Sequence, residues 1–483
     1  MAQVHYSPAR DYQKRSVFLF GDYGAQPWDH DRVIRESLKA GLQVVSTKLV
    51  SDHSESMLAK FHRGRDENYQ HTQATEILPD DASAISNATL ARLRRIYGEN
   101  CCVLPLSDYV TEYAAAISGR LSHPCFPPRS AEIVKCKHQL RDLWNQIAAR
   151  PYSSLASVEY CYLERQSYDN REFEFYPSAG FNDLSEDTQL IVKPDELSSS
   201  IEIHYASSKK EAVSRAHDIC EQLHSRWYEV GRSIGTEVRP RVVVEMAIQR
   251  SKNLHPGAEF SIEFVSFGGQ HHPVGITQKW IGPNFIEIGQ LFPAESFPER
   301  LRPALERAIQ QLLNRLAVNY CVSHWEFIVT TDERIALVEG HLRPAGGRIM
   351  ELVEHSTSHS PTAALCEALA EQTTDFSFAR QTSCGIYWLV PETPLTSVNK
   401  VSVNREVTDT LSKDLYVNEE GIMATPGWSH ASDWLTRLAH VLTTGDSLDN
   451  VLDRSREVAR NVILSGYLNN TPTSTSLQLA IDR

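Results

Sequence analysis

This 483-residue chain has no long apolar run. Its longest stretches, such as residues 17–20 and 242–244, fall far short of the roughly 20 residues a membrane-spanning helix needs. The chain is therefore expected not to enter a membrane. Residues 1–15 are polar and contain no apolar core, so no secretory signal is expected and the reading is cytoplasmic. Basic charge is also in deficit: Lys and Arg number 48 against 61 Asp and Glu, a formal net charge of -13. That balance excludes general attraction to nucleic acid or anionic lipid, which requires a basic face. A small anionic ligand would need locally placed Lys and Arg. The nine cysteines form no CxxC pair and no zinc-ligand spacing, and apart from Cys101 and Cys102 they are scattered. Reduced, buried thiols are expected. No internal repeat is visible.

What remains is the composition of an ordinary globular protein, 41% hydrophobic and 23% charged, in a chain too long for one hydrophobic core. Residues 16–20 read as a buried strand, followed by a loop with Gly21, Asp22 and Gly24 that carries a weak phosphate-loop signal. A helix over 29–40 and a strand over 42–48 complete a βαβ opening. A second cycle (helix 87–97, strand 102–106, helix 109–119) makes residues 1–128 a small open α/β domain. A helix is predicted over 131–149, and two long helices over 208–226 and 298–316 lie among strands up to about residue 380. The strand 385–390 and the helix 448–464 make residues 381–468 a separate α+β cap. The Asn-, Thr- and Ser-rich residues 469–483 read as a flexible tail with little to bury.

The chemistry gathers in residues 323–348, where two apolar strand patterns flank the polar stretch 330–334 and predict a hairpin. A turn centred between Asp332 and Glu333 sets Glu326 directly opposite Glu339. Opposed Cβ atoms lie roughly 4.5–5.5 Å apart, where like charges repel unless a cation bridges them. Carboxylates paired on rigid strands suit Mg²⁺, a hard ion that takes oxygen ligands and also holds substrate phosphates. The alternative is a solvated edge hairpin, or a slipped register in which the two never meet. Arg343 tips the balance. It lies four residues past Glu339 and runs into Pro344, Ala345, Gly346 and Gly347, and its guanidinium can grip a carboxylate or an acyl-phosphate with two bonds.

On these residues, and on the order of the motifs that precede them, the sequence resembles the ATP-grasp superfamily over roughly residues 14–470, particularly its amino-acid ligase and carboxylase-like branches. Glu326, Glu339 and Arg343 resemble the family's metal-binding end; His341 stands where many relatives have Asn. Residues 137–141, KHQLR, are similar to the helix bearing the first nucleotide-binding lysine, which makes Lys137 a phosphate ligand, with Lys135 as the neighbouring alternative. Residues 191–194, IVKP, place Lys193 as the second such lysine. The loop 195–200 has Leu197, Ser198 and Ser199 where the family has glycines, and its Ser200 is taken as a phosphate donor. Residues 242–248 resemble the adenine-holding strand and hinge, with Glu245 as side-chain acceptor and the backbone of Met246 to Ile248 reading the base. Glu259 is implied as the ribose ligand, and Glu263 as a supporting group behind it.

The resemblance implies an ATP-grasp fold of mixed α/β and α+β type: an N-terminal open α/β domain, a lid region over 129–235, a larger subdomain with the metal site over 236–380, and the C-terminal cap. It implies ATP with Mg²⁺, two ions being expected and Mn²⁺ a possible substitute, and a dimer. The implied activity is ADP-forming carboxylate-amine ligation, between amino acids or similar metabolites, with Arg343 steadying the reacting carboxylate. The segment 275–290 is the candidate for substrate contacts, with His341 and Arg348 as further candidates. Competing readings are a carboxylase-like enzyme using carboxyphosphate and a non-catalytic nucleotide-binding protein.

Overall fold

The computed structural model describes residues 16–20, 27–49, 74–79, 82–97, 101–121, 124–149, 154–165, 173–197, 200, 202–223, 239–254, 257–282, 285–371, 375–425, 427–429 and 437–482. The loop at Gly21, Asp22 and Gly24, and the serines 198 and 199, lie outside these residues.

The chain opens with β1 (Ser16–Phe20), α1 (Pro27–Lys39), β2 (Gln43–Leu49), β3 (Ala74–Leu78), α2 (Asn87–Tyr97), β4 (Cys101–Pro105) and α3 (Thr111–Leu121). The four strands form a parallel sheet in the order β3-β2-β1-β4. Parallel strands covered on both faces read as continuous apolar runs, and β1 does so: Val17 and Leu19 enter one core, Phe18 the other with Val45 and Val103. A 3₁₀ turn over Asp108–Val110, capped by Ser107, leads into α3 and fixes Asp108 at the carboxyl end of β4.

The single helix predicted over 131–149 is two, α4 (Pro128–Lys135) and α5 (Lys137–Ala148), broken at Cys136 with φ -81° and ψ 103°. The cause is tertiary. Cys136 offers α5 no side-chain cap, and Asp195, far along the chain, accepts from the His138 backbone N–H at 3.0 Å instead. An orphan donor at the helix N-terminus is thereby satisfied from another element.

Next come β5 (Tyr160–Arg165), β6 (Phe173–Pro177), β7 (Leu190–Pro194), β8 (His204–Ala206), α6 (Lys209–Gln222) and β9 (Arg241–Met246), with the sheet order β6-β5-β9-β7-β8. Helix α6 lays Ala212, Ala216, Ile219 and Cys220 onto this sheet, a spacing that follows the helical repeat. Then follow β10 (Glu259–Phe267), β11 (Gln270–Ile281), β12 (Glu287–Phe292), α7 (Arg302–Arg315), β13 (Cys321–Val329), β14 (Ile335–His341), α8 (Ile349–Thr357) and α9 (Pro361–Leu369). The remainder is β15 (Ser383–Pro391), β16 (Ser397–Val403), α10 (Arg405–Leu411), β17 (Asp414–Val417), α11 (Glu419–Ala424), β18 (Ala439–Gly445), α12 (Leu448–Arg460), β19 (Val462–Leu468) and β20 (Thr471–Leu479). One large sheet runs β14-β13-β10-β11-β12-β15-β20-β19-β16, with β18 and β17 branching from β15. The cap thus continues the sheet that carries the site.

Two expectations are corrected here. The last helix ends at Arg460, and residues 462–468 are a strand whose Val462 and Leu464 are buried. The tail expected to be flexible is strand β20, paired with β19 and with β15. Apart from Thr475 its Thr and Ser side chains bury little, but the ladder satisfies the backbone, and Leu477 and Leu479 reach the main core. Cys102, Cys125, Cys136, Cys161, Cys220, Cys321, Cys366 and Cys384 are buried. No helix among the described residues is long and apolar enough to cross a membrane.

Candidate active site

A cavity of about 270 Å³ opens where the five-stranded sheet faces the large sheet. Strand alternation puts Glu259, Ser261 and Glu263 of β10 on the same face of the sheet, and the register aligns Ser261 with Thr277 on one side and Glu326 on the other. Glu326 in turn lies directly opposite Glu339 on β14, as expected. The route to that pairing differs from the one predicted. From Phe327 to Val329 the partners are offset by one, and a bulge between Glu326 and Phe327 restores the alignment.

Each opposed carboxylate is held by cations. Lys279, buried on β11, pairs with Glu326 and with Glu287 of β12. His324 Nε2 lies 2.9 Å from Glu326 Oε1, while its Nδ1 lies 2.8 Å from Glu263 Oε1. Glu263 also accepts from Ser261 at 2.9 Å and Thr277 at 3.2 Å, so it orients the His324 imidazole rather than Glu259. Burial would raise Glu326, but Lys279 and His324 hold it well below the usual carboxylate range. Burial and the facing Glu326 push Glu339 up, and His341 and Lys137 bring it below its ordinary value. Lys137 Nζ is 3.8 Å from Glu339 Oε2 and donates to the Leu197 carbonyl. Lys135 points away, to Glu112 at 3.1 Å, so the structure brings Lys137 into the cavity rather than its neighbour.

Lys193 also lines the cavity, at the end of β7. It is paired to Glu245 Oε1 at 2.5 Å, and Arg141 reaches the other oxygen of Glu245 at 2.9 Å. Both Glu245 oxygens are thus committed to cations. Burial opposes its ionisation, yet Arg141 and Lys193 depress it to about 2; burial lowers Lys193 despite the carboxylate. This is a correction to the expectation of Glu245 as an open acceptor for a base: it anchors Lys193. At the hinge, the Met246 and Ala247 N–H groups are spent on the carbonyls of Glu159 and Gln189, at 2.8 and 2.9 Å. Ala247 and Ile248 line the cavity and Met246 does not. Ser200, at φ 57°, donates to the Phe285 carbonyl at 2.8 Å, and Tyr205 packs on the Phe285 ring at 4.8 Å between centroids. These contacts join the loop at Ser200 and strand β8 to Phe285 in the lining of the cavity.

Glu259 lines the cavity and pairs with Arg250 at 2.8 Å. Its burial outweighs Arg250, and its carboxyl is raised to about 7. Arg343 projects from the loop after β14 and pairs through Nη2 with Asp108 Oδ2 at 2.5 Å. His341 Nδ1 holds the other Asp108 oxygen at 2.8 Å, and its Nε2 lies 3.4 Å from Glu339. Burial opposes a charged imidazole, but Asp108 raises His341 to about 9. Asp108 carries no motif of its own and stands more than 230 positions from either partner; only the end of a parallel strand delivers it. Gly347, at φ 64°, lets this loop press close: a Cβ there would meet the Gln290 amide nitrogen at 2.6 Å. Arg348 does not reach the cavity. It spans from Glu351, at 2.6 Å, to Asp414 and His440 of the cap. Lys279 and Glu287 lie within the segment expected to touch substrate; Asp108 and Arg437 were not foreseen.

The donor set fits the groups expected. Glu326 and Glu339 offer a divalent cation hard oxygen ligands on rigid strands. Apolar Ile191, Ala247, Ile248, Ile328 and Val338 share the same cavity with Lys137 and Lys193, which suits a base and its phosphates.

An open parallel α/β sheet, a five-stranded antiparallel sheet, and a large antiparallel sheet bearing opposed glutamates define the class: the chain has the ATP-grasp fold. No protein-family model matches the sequence, and no curated protein matches it. Among solved structures it is similar to an L-amino acid ligase from Bacillus licheniformis, with a TM-score of 0.64 at 17% identity, over 95% of this chain and 100% of that one. It is also similar to the biotin carboxylase domain of the Hydrogenobacter thermophilus 2-oxoglutarate carboxylase, a dimer in complex with MgADP, ADP and bicarbonate (TM-score 0.60, 11% identity, 98% and 93% coverage). A third is the phosphoribosylglycinamide synthetase from Anaerococcus prevotii (TM-score 0.59, 11% identity, 93% and 99% coverage). At these identities the likeness is one of fold.

Proposed function

We propose that the chain is an ADP-forming, ATP-dependent ligase that joins a carboxylate to an amine through an acyl-phosphate, the substrates being two amino acids or amino-acid-like metabolites. The observation that carries the reading is the convergence of Glu326, Glu339, Arg343, Lys137 and Lys193 on one cavity. A carboxylate is a poor acyl donor until one oxygen becomes a leaving group. In the proposed reaction that oxygen displaces ADP from the γ-phosphorus; the amine nitrogen then displaces phosphate from the acyl carbon and loses a proton.

In this reading Lys137 and Lys193 hold the phosphates, joined by Ser200 once it leaves the Phe285 carbonyl, and Ala247 with Ile248 packs the base. Glu259 binds the ribose. Glu326 and Glu339 hold Mg²⁺, which when bound supplies charge neutralisation at the phosphates, and Mn²⁺ would serve as a substitute. Arg343, fixed by Asp108, steadies the carboxylate and the acyl-phosphate. These are effects of position and charge in a partly dry site. The working units proposed are residues 1–128, 129–235, 236–380 and the sheet-continuing cap beyond.

The test is phosphate release from ATP and Mg²⁺ with the twenty amino acids, singly and in pairs. Release only with particular pairs is the expected result. Release with bicarbonate alone would move the assignment to a carboxylase, and silence with ATP bound would overturn turnover altogether.

A further inference from the structure

Between β14 and α8 an unbroken strap of five residues, Arg343, Pro344, Ala345, Gly346 and Gly347, lines the cavity. Its first residue is the one proposed to grip the reacting carboxylate, so the course of the strap sets where that grip falls. An arginine anchors each end. Arg343 pairs with Asp108 of the N-terminal domain at 2.5 Å. At the other end stands Arg348, buried and outside the cavity lining.

The far anchor is built from several elements. Arg348 Nε and Nη2 donate to the two oxygens of Glu351 on α8, at 2.6 and 2.7 Å, the two-bond geometry that fixes the plane of a guanidinium. Nη1 donates to Asp414, the first residue of β17, and to His440 Nε2 on β18 at 2.7 Å. A guanidinium has only donors, so His440 accepts through that nitrogen. Arg32 of α1 backs the same Glu351 at 3.3 Å. The main chain at Arg348 lies in the left-handed region, with φ 65° and ψ 19°. A residue with a Cβ is strained there and persists where its surroundings over-determine it. Glycine, which would relieve the strain, stands at 347 but not at 348; what position 348 gains instead is the grip of its side chain.

Resting on the ligase reading above, we infer that Arg348 is a positioning residue for that reaction: with Asp414 and His440 it locks the cap to the strap, and through the strap it fixes Arg343 against the carboxylate being activated. Asp414 and His440, neither in the cavity lining, thereby act on the acyl side of the site from a distance. Lys137, Lys193 and Glu245 belong to α5, β7 and β9 and stand outside this lock.

Steady-state kinetics with the substrate pair found by the pairwise screen test it, on the wild type, Arg348→Gly, Arg348→Lys and Asp414→Asn. Glycine relieves the left-handed main chain while removing the grip, so one variant separates the two roles. Arg348→Gly is expected to lower kcat on the order of 10²-fold, the usual scale for a small misplacement of a reacting group, with the KM and the calorimetric Kd of ATP within a few-fold of wild type. Arg348→Lys recovers part of the loss. Asp414→Asn, whose side chain is 45% exposed, leaves Glu351 and His440 on the guanidinium and moves kcat the same way by less. Combined with Asp108→Asn at the other end of the strap, Arg348→Gly costs less than the product of the two single losses, because both act through Arg343. Global destabilisation predicts neither that coupling nor the split between kcat and ATP binding. Wild-type kcat in Arg348→Gly, a parallel rise in the KM for ATP, or losses that multiply in the double variant would overturn the inference and leave the ligase reading standing. Absence of pair-dependent ADP formation in the wild type would remove the ligase reading and this inference together. If circular dichroism shows both Arg348 variants unfolded, Asp414→Asn decides alone, and a kcat equal to wild type there overturns the inference.

Discussion

Lys279 on β11 reaches across β10 to pair with Glu326 on β13, and its other contact is Glu287 on β12. A lysine whose side chain is 1% exposed serves as the resident counter-cation for two carboxylates, one of them at the proposed metal site. Removing one member of a buried ion pair leaves the others uncompensated, at a cost of roughly 3–5 kcal/mol. Lys279→Met is therefore expected to lower the melting temperature clearly, and added Mg²⁺ should restore more stability to the variant than it adds to the wild type. Melting curves with and without Mg²⁺ check this; a variant as stable as wild type in chelator would refute it.

Glu326 and Glu339 face each other because a bulge realigns the hairpin. Glu326→Gln and Glu339→Gln keep shape and most hydrogen bonds while removing the charge a cation needs. Each is expected to reduce turnover by ~10²-fold or more without unfolding the chain. Phosphate release and circular dichroism on the same samples decide it, and wild-type turnover in either variant would end the metal assignment.

Asp108 acts through other groups, holding Arg343 and His341 from the N-terminal domain. Asp108→Asn keeps one acceptor oxygen and removes the charge. A fall in kcat of about 10²-fold, with the KM for ATP nearly constant, is expected, because only groups important at the transition state are displaced. A matching loss in Arg343→Ala, and no further loss in the double variant, would show the two act as one unit. Additive losses would show that they do not.

Glu259 supplies a pH signature. Burial raises its carboxyl from 4.5 to about 7 against the opposing pull of Arg250. A carboxyl whose folded value lies above its unfolded one binds more protons when folded, so stability falls as pH rises between about 4.5 and 7 and stays reduced above. The shift corresponds to an order of 3 kcal/mol at most. Glu259→Gln is expected to be more stable than wild type at pH 8 and to lose that advantage at pH 5, while its affinity for ATP weakens. Urea unfolding at the two pH values tests the first part, and calorimetric titration with ATP the second.

The sequence by itself determined the elements and the pairing that matter locally. Alternation in residues 323–341 specified the hairpin, and the apolar run of β1 specified a covered parallel strand. Motif order carried the ATP-grasp fold, since a strand, hinge or lysine-bearing helix is encoded within a few residues. Tertiary structure decided what lies between distant segments. The break at Cys136 depends on a cap from Asp195; the commitment of Glu245 to Lys193 and Arg141 depends on β7, β9 and α5 meeting; and Asp108 reaches the cavity's Arg343 and His341 from one end of the chain while Arg437 lines the cavity from the other. The tail became a strand because its backbone completes a ladder, which composition does not record. Local patterns encode which conformation a segment adopts and which face it buries, whereas the partners of a buried charge are chosen by topology, and topology set the electrostatics of this site.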